Sequence, residues 1–165
     1  MGQYYLTVNL DKQQFIYPHK FGDGLKLVEF GASGDGTMFG LAVLLADGNG
    51  RGGGDLRSDD PIIGSWSGDR IVVAGDYADG GKWLTEKQIQ QFYDNNPDEK
   101  PRHAEHDMTV GLYQYANDCF EDISVKVIQA IMEGDEYFAE HFVKVLTGHR
   151  RDLFTEDELA RLEGI

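Results

Sequence analysis

The sequence predicts an α+β fold: an antiparallel-rich sheet in the N-terminal half with one embedded helix, covered by C-terminal helices. Three observations predict it. Apolar and polar residues alternate near the N-terminus, glycines crowd the first half, and capped helical periodicities recur in the second. Of 21 glycines, 17 lie in residues 1–81 and four in residues 82–165. A chain of 165 residues is expected to form a single domain over 1–165, with a Gly-rich sheet half (1–81) and an acidic helical half (82–165).

The elements follow in order. Tyr4, Leu6, Val8 and Leu10 alternate with Tyr5, Thr7 and Asn9, the period of a half-buried strand. Asp11-Lys12 breaks that strand and Gln13–Tyr17 resumes it, which predicts a hairpin closed by Pro18. Leu25–Phe30 reads as a third strand. After the glycine loop 31–36, Thr37–Ala46 is apolar nearly all round and predicts a buried helix. Ile62–Trp66 and Arg70–Ala74 flank Ser67-Gly68-Asp69, the pattern of a second hairpin. Thr85 with Gln88, and Thr155 with Glu158, have the spacing of capping boxes, with Leu84–Ile89 and Phe154–Leu159 as hydrophobic staples. Between them, Ile123, Val127 and Ile131, then Phe138, Phe142 and Val145, mark two helices separated at Gly134. Pro97 and Pro101 bracket a polar stretch that reads as an exposed loop.

Composition narrows the function. With 15 Lys+Arg against 29 Asp+Glu, the formal net charge is −14, which disfavours direct nucleic-acid binding and docking on an anionic membrane. The lone Cys119 excludes an internal disulfide and a cysteine zinc cluster; acidic neighbours predict a raised thiol pKa and a buried structural role. No apolar run suits a membrane span, and the start is unlike a signal peptide, so a soluble cytoplasmic protein is expected. No motif calls for a cofactor or a metal. His103, His106 and Asp107 could ligate a metal, but their Pro-flanked polar setting favours solvent exposure.

Met1-Gly2-Gln3-Tyr4-Tyr5, the stretch Pro18–Leu27, Gly48-Asn49-Gly50-Arg51-Gly52-Gly53-Gly54-Asp55, and Gly64-Ser65-Trp66 with Gly68-Asp69-Arg70-Ile71 carry a resemblance. Over roughly residues 1–79 the chain resembles an uncharacterised family of small proteins found in phages, large viruses and bacteria. That family has no established activity or site residues. The resemblance implies a viral or mobile-element setting, the host cytoplasm, and a counter-defence role such as sequestering a signalling nucleotide or mimicking DNA.

The residues themselves point to binding without turnover. A glycine loop before a buried helix suits an anion, with Gly34 and Gly36 supplying backbone donors. Its spacing is GxGxxxG rather than GxGxxG, Asp35 lies within it, and no P-loop motif occurs. Loop 47–60 has Asp47, Asn49, Gly52 and Asp55 at calcium-loop positions, but Arg51 and Ser58 stand where carboxylate ligands belong. Read with the opposite charge, Arg51 and Arg57 beside Gly52, Gly53 and Gly54 suit a phosphate or carboxylate. The alternative is that both arginines pair with Asp55, Asp59, Asp60 or Asp69 to pin the loop. Arg70, His19 and Lys20 complete the candidate anion site. The expected ligand is a small anion of the kind a nucleotide derivative presents. The alternatives are an acidic interaction protein or DNA mimic that blocks a host protein partner, and a metal-dependent hydrolase of a phosphorylated substrate using Asp47, Asp55 and Asp76. A Ser33–His19 nucleophile pair is a weaker option. Tyr4, Tyr5, Tyr17 and Trp66 read mainly as sheet-face and core residues.

Overall fold

The computed structural model describes residues 2–78, 80–99 and 110–165; His103, His106, Asp107 and Pro101 lie outside the described residues. The strands are β1 (Tyr5–Asn9), β2 (Gln14–Ile16), β3 (Ile71–Gly75) and β4 (Glu121–Asp122). The α-helices are α1 (Leu27–Phe30), α2 (Thr37–Leu45), α3 (Glu86–Asn95), α4 (Leu112–Cys119), α5 (Ser124–Gly134), α6 (Glu136–Thr147) and α7 (Glu156–Glu163). The fold is α+β, with a four-stranded sheet in the order β3-β1-β2-β4. No helix among the described residues is long and apolar enough to cross a membrane.

β1 and β2 form the expected antiparallel hairpin, with Val8 opposite Phe15. The Asn9 side chain accepts the Lys12 N–H at 2.8 Å and holds the turn. β3 pairs antiparallel with β1, Leu6 opposite Ala74. One strand comes from the helical half: β4 runs parallel to β2, and Tyr17 N–H donates to Ser124 Oγ at 2.8 Å just beyond it. The sheet is thus antiparallel-rich with one parallel edge.

Alternation in the strands feeds two cores. Leu6, Val8, Phe15 and Ala74 pack with Leu84, Phe92, Leu112 and Tyr115 of the α3–α4 region. The opposite parity, represented by buried Ile16 and half-buried Ile71, packs with Leu44, Trp66, Ile128, Phe142 and Leu162. Helices therefore cover both faces, and α2 packs on α5 and, through the Phe39–Phe138 stack, on α6, while Met38, Ala42 and Leu45 along its other side are exposed.

Two expected strands are absent. Leu25–Phe30 turns into the short helix α1, because Glu29 reaches back to accept the Lys26 N–H at 3.0 Å. Six residues with four apolar side chains and the charged Lys26 and Glu29 have no period long enough to choose strand over helix. Ile62–Trp66 forms successive i→i+3 turns, seen in Ile63 N–H to Asp60 O and Ser65 N–H to Ile62 O. Its other amides finish α2: Gly64 and Trp66 N–H donate to Val43 and Leu44 carbonyls at 2.9 and 2.8 Å. Satisfying those orphan helix carbonyls outweighs pairing with β3. Cys119 is exposed rather than buried. Its thiol pKa is nevertheless raised, by partial desolvation first and then by the charge of Asp118.

Both expected caps form. Thr85 Oγ1 accepts Gln88 N–H at 3.2 Å, and Thr155 Oγ1 accepts Glu158 N–H at 3.1 Å, each with the return bond of a capping box. Thr85→Ala and Thr155→Ala are each expected to destabilise the protein by about 1 kcal/mol in denaturant melts. A loss below roughly 0.2 kcal/mol at both would contradict the capping role.

Candidate functional site

Loop 47–60 is organised by two of its own polar side chains. Asn49 bridges its neck: Oδ1 accepts Leu56 N–H at 2.9 Å and Nδ2 donates to Leu56 O at 3.0 Å. Asp55 occupies the tip. Its Oδ2 accepts the amides of Gly50, Arg51 and Gly52 at 2.9, 2.7 and 3.3 Å. These converging donors, the Arg51 amide foremost, hold the Asp55 carboxyl below its ordinary pKa. Gly54 takes φ +93°, which lets the chain turn after the triple glycine.

The base of the loop is docked on the corner between α5 and α6. Leu56 is buried, and Arg57 N–H donates to Gly134 O at 3.1 Å. A Cβ at 134 would lie 3.1 Å from Leu56 Cβ, so any other residue there would press the loop base away from the corner by a few tenths of an ångström. Asp135 then caps α6 by accepting Tyr137 and Phe138 N–H at 2.9 and 3.2 Å. A groove of about 930 Å³ runs between loop and corner. Its walls carry Asp55, Asp59, Glu133, Asp135 and Glu136 against the one cation Arg57, with Tyr137 at the rim. Tyr137 is 67% exposed.

The expected site residues do not converge on one place. Gly52, Gly53, Gly54 and Arg57 line this groove, and Arg51 projects from the same loop. Among the described residues neither guanidinium makes an ion pair, so pinning of the loop falls to Asn49 and Asp55 instead.

Gly34 and Gly36 lie at the N-terminus of α2, where the anion present is the chain's own Asp23. Its Oδ2 accepts Thr37 N–H at 2.7 Å and Thr37 Oγ1 at 2.6 Å, and Ser33 Oγ lies at 2.9 Å. A Cβ on Gly36 would stand 2.4 Å from that oxygen, so the glycine makes room for Asp23. Ser33 thus turns toward Asp23, and His19 Nδ1 meets the Asp23 carbonyl at 2.8 Å, so no Ser33–His19 pair forms.

Lys20 binds Asp122 at 3.0 Å and reaches Glu158 at 3.8 Å, beneath the Phe154 ring. It ties the first half of the chain to β4 and α7. Arg70 is paired with Asp11 through Nε at 2.9 Å. Asp76 accepts Tyr4 N–H at the end of β3, away from loop 47–60. Among the described residues no three His, Cys, Asp or Glu side chains gather as a metal site, and Asp47, Asp55 and Asp76 do not converge.

Sequence reasoning missed Asp23 as a cap, because its partner Thr37 is 14 residues away. It also missed the α5–α6 corner as a docking wall. The Gly134-Asp135 pair, a helix end followed at once by a capping aspartate, was the available signal. No known family model, curated protein or solved structure matches the chain.

Proposed function

We propose that the chain is an interaction protein that works without turnover, its acidic α5–α6 corner receiving a basic surface of a protein partner. The observation that carries this reading is the groove itself, with five carboxylates to one guanidinium and an exposed tyrosine at its edge. Such a surface repels small anions and attracts Lys- or Arg-rich segments, and Tyr137 offers its ring face to a cation. The N-terminus of α2 and the tip of loop 47–60 already hold the internal carboxylates of Asp23 and Asp55, which argues against their use for an external phosphate. The acidity of the second half then acts by steering the partner, as in mimicry of a phosphate rail.

A short arginine-rich peptide serves as probe in fluorescence anisotropy. Glu133→Lys with Glu136→Lys is expected to weaken it at least about tenfold at low salt, with the difference shrinking as salt rises. Equal charge reversal at Glu156 and Asp157 on α7 should cost less than about twofold. Equal losses at both places would reduce the acidity to a general property of the surface.

Arg51 and Arg57, without an ion-pair partner among the described residues, favour a second reading, a small anion clamped across the loop. Titration calorimetry with inorganic phosphate and nucleoside triphosphates tests it. If the arginines clamp an anion, Arg51→Ala should lose about 1–3 kcal/mol of affinity and Arg51→Lys should recover only part.

A further inference from the structure

Among the described residues, β3 is an outer strand of the sheet. Leu10 N–H donates to Arg70 O at 3.0 Å and Asp76 N–H to Tyr4 O at 2.9 Å. With Leu6 opposite Ala74 and Val8 opposite Val72, the even-numbered residues of β3 therefore exchange bonds with β1. Ile71, Val73 and Gly75 direct their N–H and C=O groups away from the sheet. Gly75 O is met by Ala78 N–H at 3.2 Å, which closes that end with a turn. Among the described residues, nothing hydrogen-bonds the outward groups of Ile71 and Val73.

Open edges are ordinarily blunted by lysine, proline or a bulge. Ile71-Val72-Val73-Ala74-Gly75 has no charge and no proline, its pairing with β1 is continuous, and Val73 is 41% exposed. This is an edge suited to another strand.

We propose that β3 pairs antiparallel with β3 of a second copy of this chain, about a twofold axis through Val72, joining two sheets into one of eight strands. In that register Ile71 of each copy faces the partner's Val73, and the four outward N–H and C=O pairs satisfy one another without drawing on Gly75. The end charges select a second copy over an unrelated strand. Arg70 and Asp76 flank β3 on one face, at opposite ends; Arg70 is largely exposed and already engaged with Asp11 of its own chain, and Asp76 accepts Tyr4 N–H, so each would share its charge with the partner copy. Antiparallel pairing sets each Arg70 opposite the partner's Ala74 and diagonally beside the partner's Asp76, within reach of a long side chain. The contact is isologous and closes at two copies.

Sedimentation velocity from about 1 to about 500 μM, at physiological salt, provides the test. The protein is expected to pass from monomer to dimer within that range. Val73→Lys should raise the dimer dissociation constant at least about tenfold, because a charged edge resists pairing. Val73→Pro should do the same, since the Val73 N–H takes no part in the β1 ladder. Unchanged circular dichroism and melting temperature of the dilute Val73→Lys monomer would separate loss of pairing from loss of fold. A wild-type chain that stays monomeric throughout, or a Val73→Lys dimer as tight as wild type, overturns the proposal.

Discussion

Asp23→Ala is expected to destabilise the protein by about 3 kcal/mol, far more than removal of a surface carboxylate. One oxygen of Asp23 takes both the N–H and the hydroxyl of Thr37, with the Ser33 hydroxyl beside it. Thr37 is fully buried, so two of those donors would be left without water or protein partners. The N-terminus of α2 would also lose the negative group that complements its dipole. Asp23→Asn retains an acceptor oxygen and should cost about 1 kcal/mol. Urea melts at neutral pH measure both. An alanine loss below about 0.5 kcal/mol would mean that α2 is held by its packing alone.

Trp66→Ala should cost about 3–5 kcal/mol, the range for emptying a large buried aromatic site. Its ring is fully buried against the α2 and α5 side of the sheet. Its indole N–H donates to Gln14 Oε1 at 2.9 Å, so truncation also strands an acceptor on β2. Trp66→Phe fills most of the volume but loses the donor, and about 1–2 kcal/mol should go with it. Trp83, 36% exposed, supplies the control. Its replacement by alanine should move stability by no more than about 0.5 kcal/mol. Similar losses at the two tryptophans would contradict the placement of Trp66 in that core.

Local chemistry was legible in the sequence where partners lie within a few residues. The capping boxes at Thr85 and Thr155, the Tyr4–Tyr17 hairpin and a helix from Thr37 all follow from short-range spacing, although that helix is buried on one side only, with Met38, Ala42 and Leu45 exposed. The strand at Arg70–Ala74 was recognisable, but its partner was not. Adjacent Ile62–Trp66 has the composition of a strand, yet two of its amides meet α2 carbonyls that no local pattern announces.

The candidate site divides in the same way. Gly52–Gly54, Arg51 and Arg57 do belong to one loop on one groove. The α2 N-terminus and the loop tip are filled instead by the chain's own Asp23 and Asp55. The carboxylate of Asp55 is near in sequence, whereas that of Asp23 comes from another turn of the chain. Lys20 shows the limit most plainly. Its cation suggested a ligand, and its partner Asp122 stands 102 residues later.

The parallel pairing of β2 with β4 makes the order of synthesis matter. The hairpin is complete once residue 16 has left the ribosome, but the strand that covers its outer edge begins at Glu121. At ~5–20 residues per second, that edge waits roughly 5–20 s for its partner. Over this interval the nascent chain displays the pairing groups of β2, with Phe15 and Ile16 still lacking their helical cover. Any agent that shields exposed strands during translation would act in that window. A pause placed between the codons for residues 16 and 121 would lengthen the exposure without altering the finished fold.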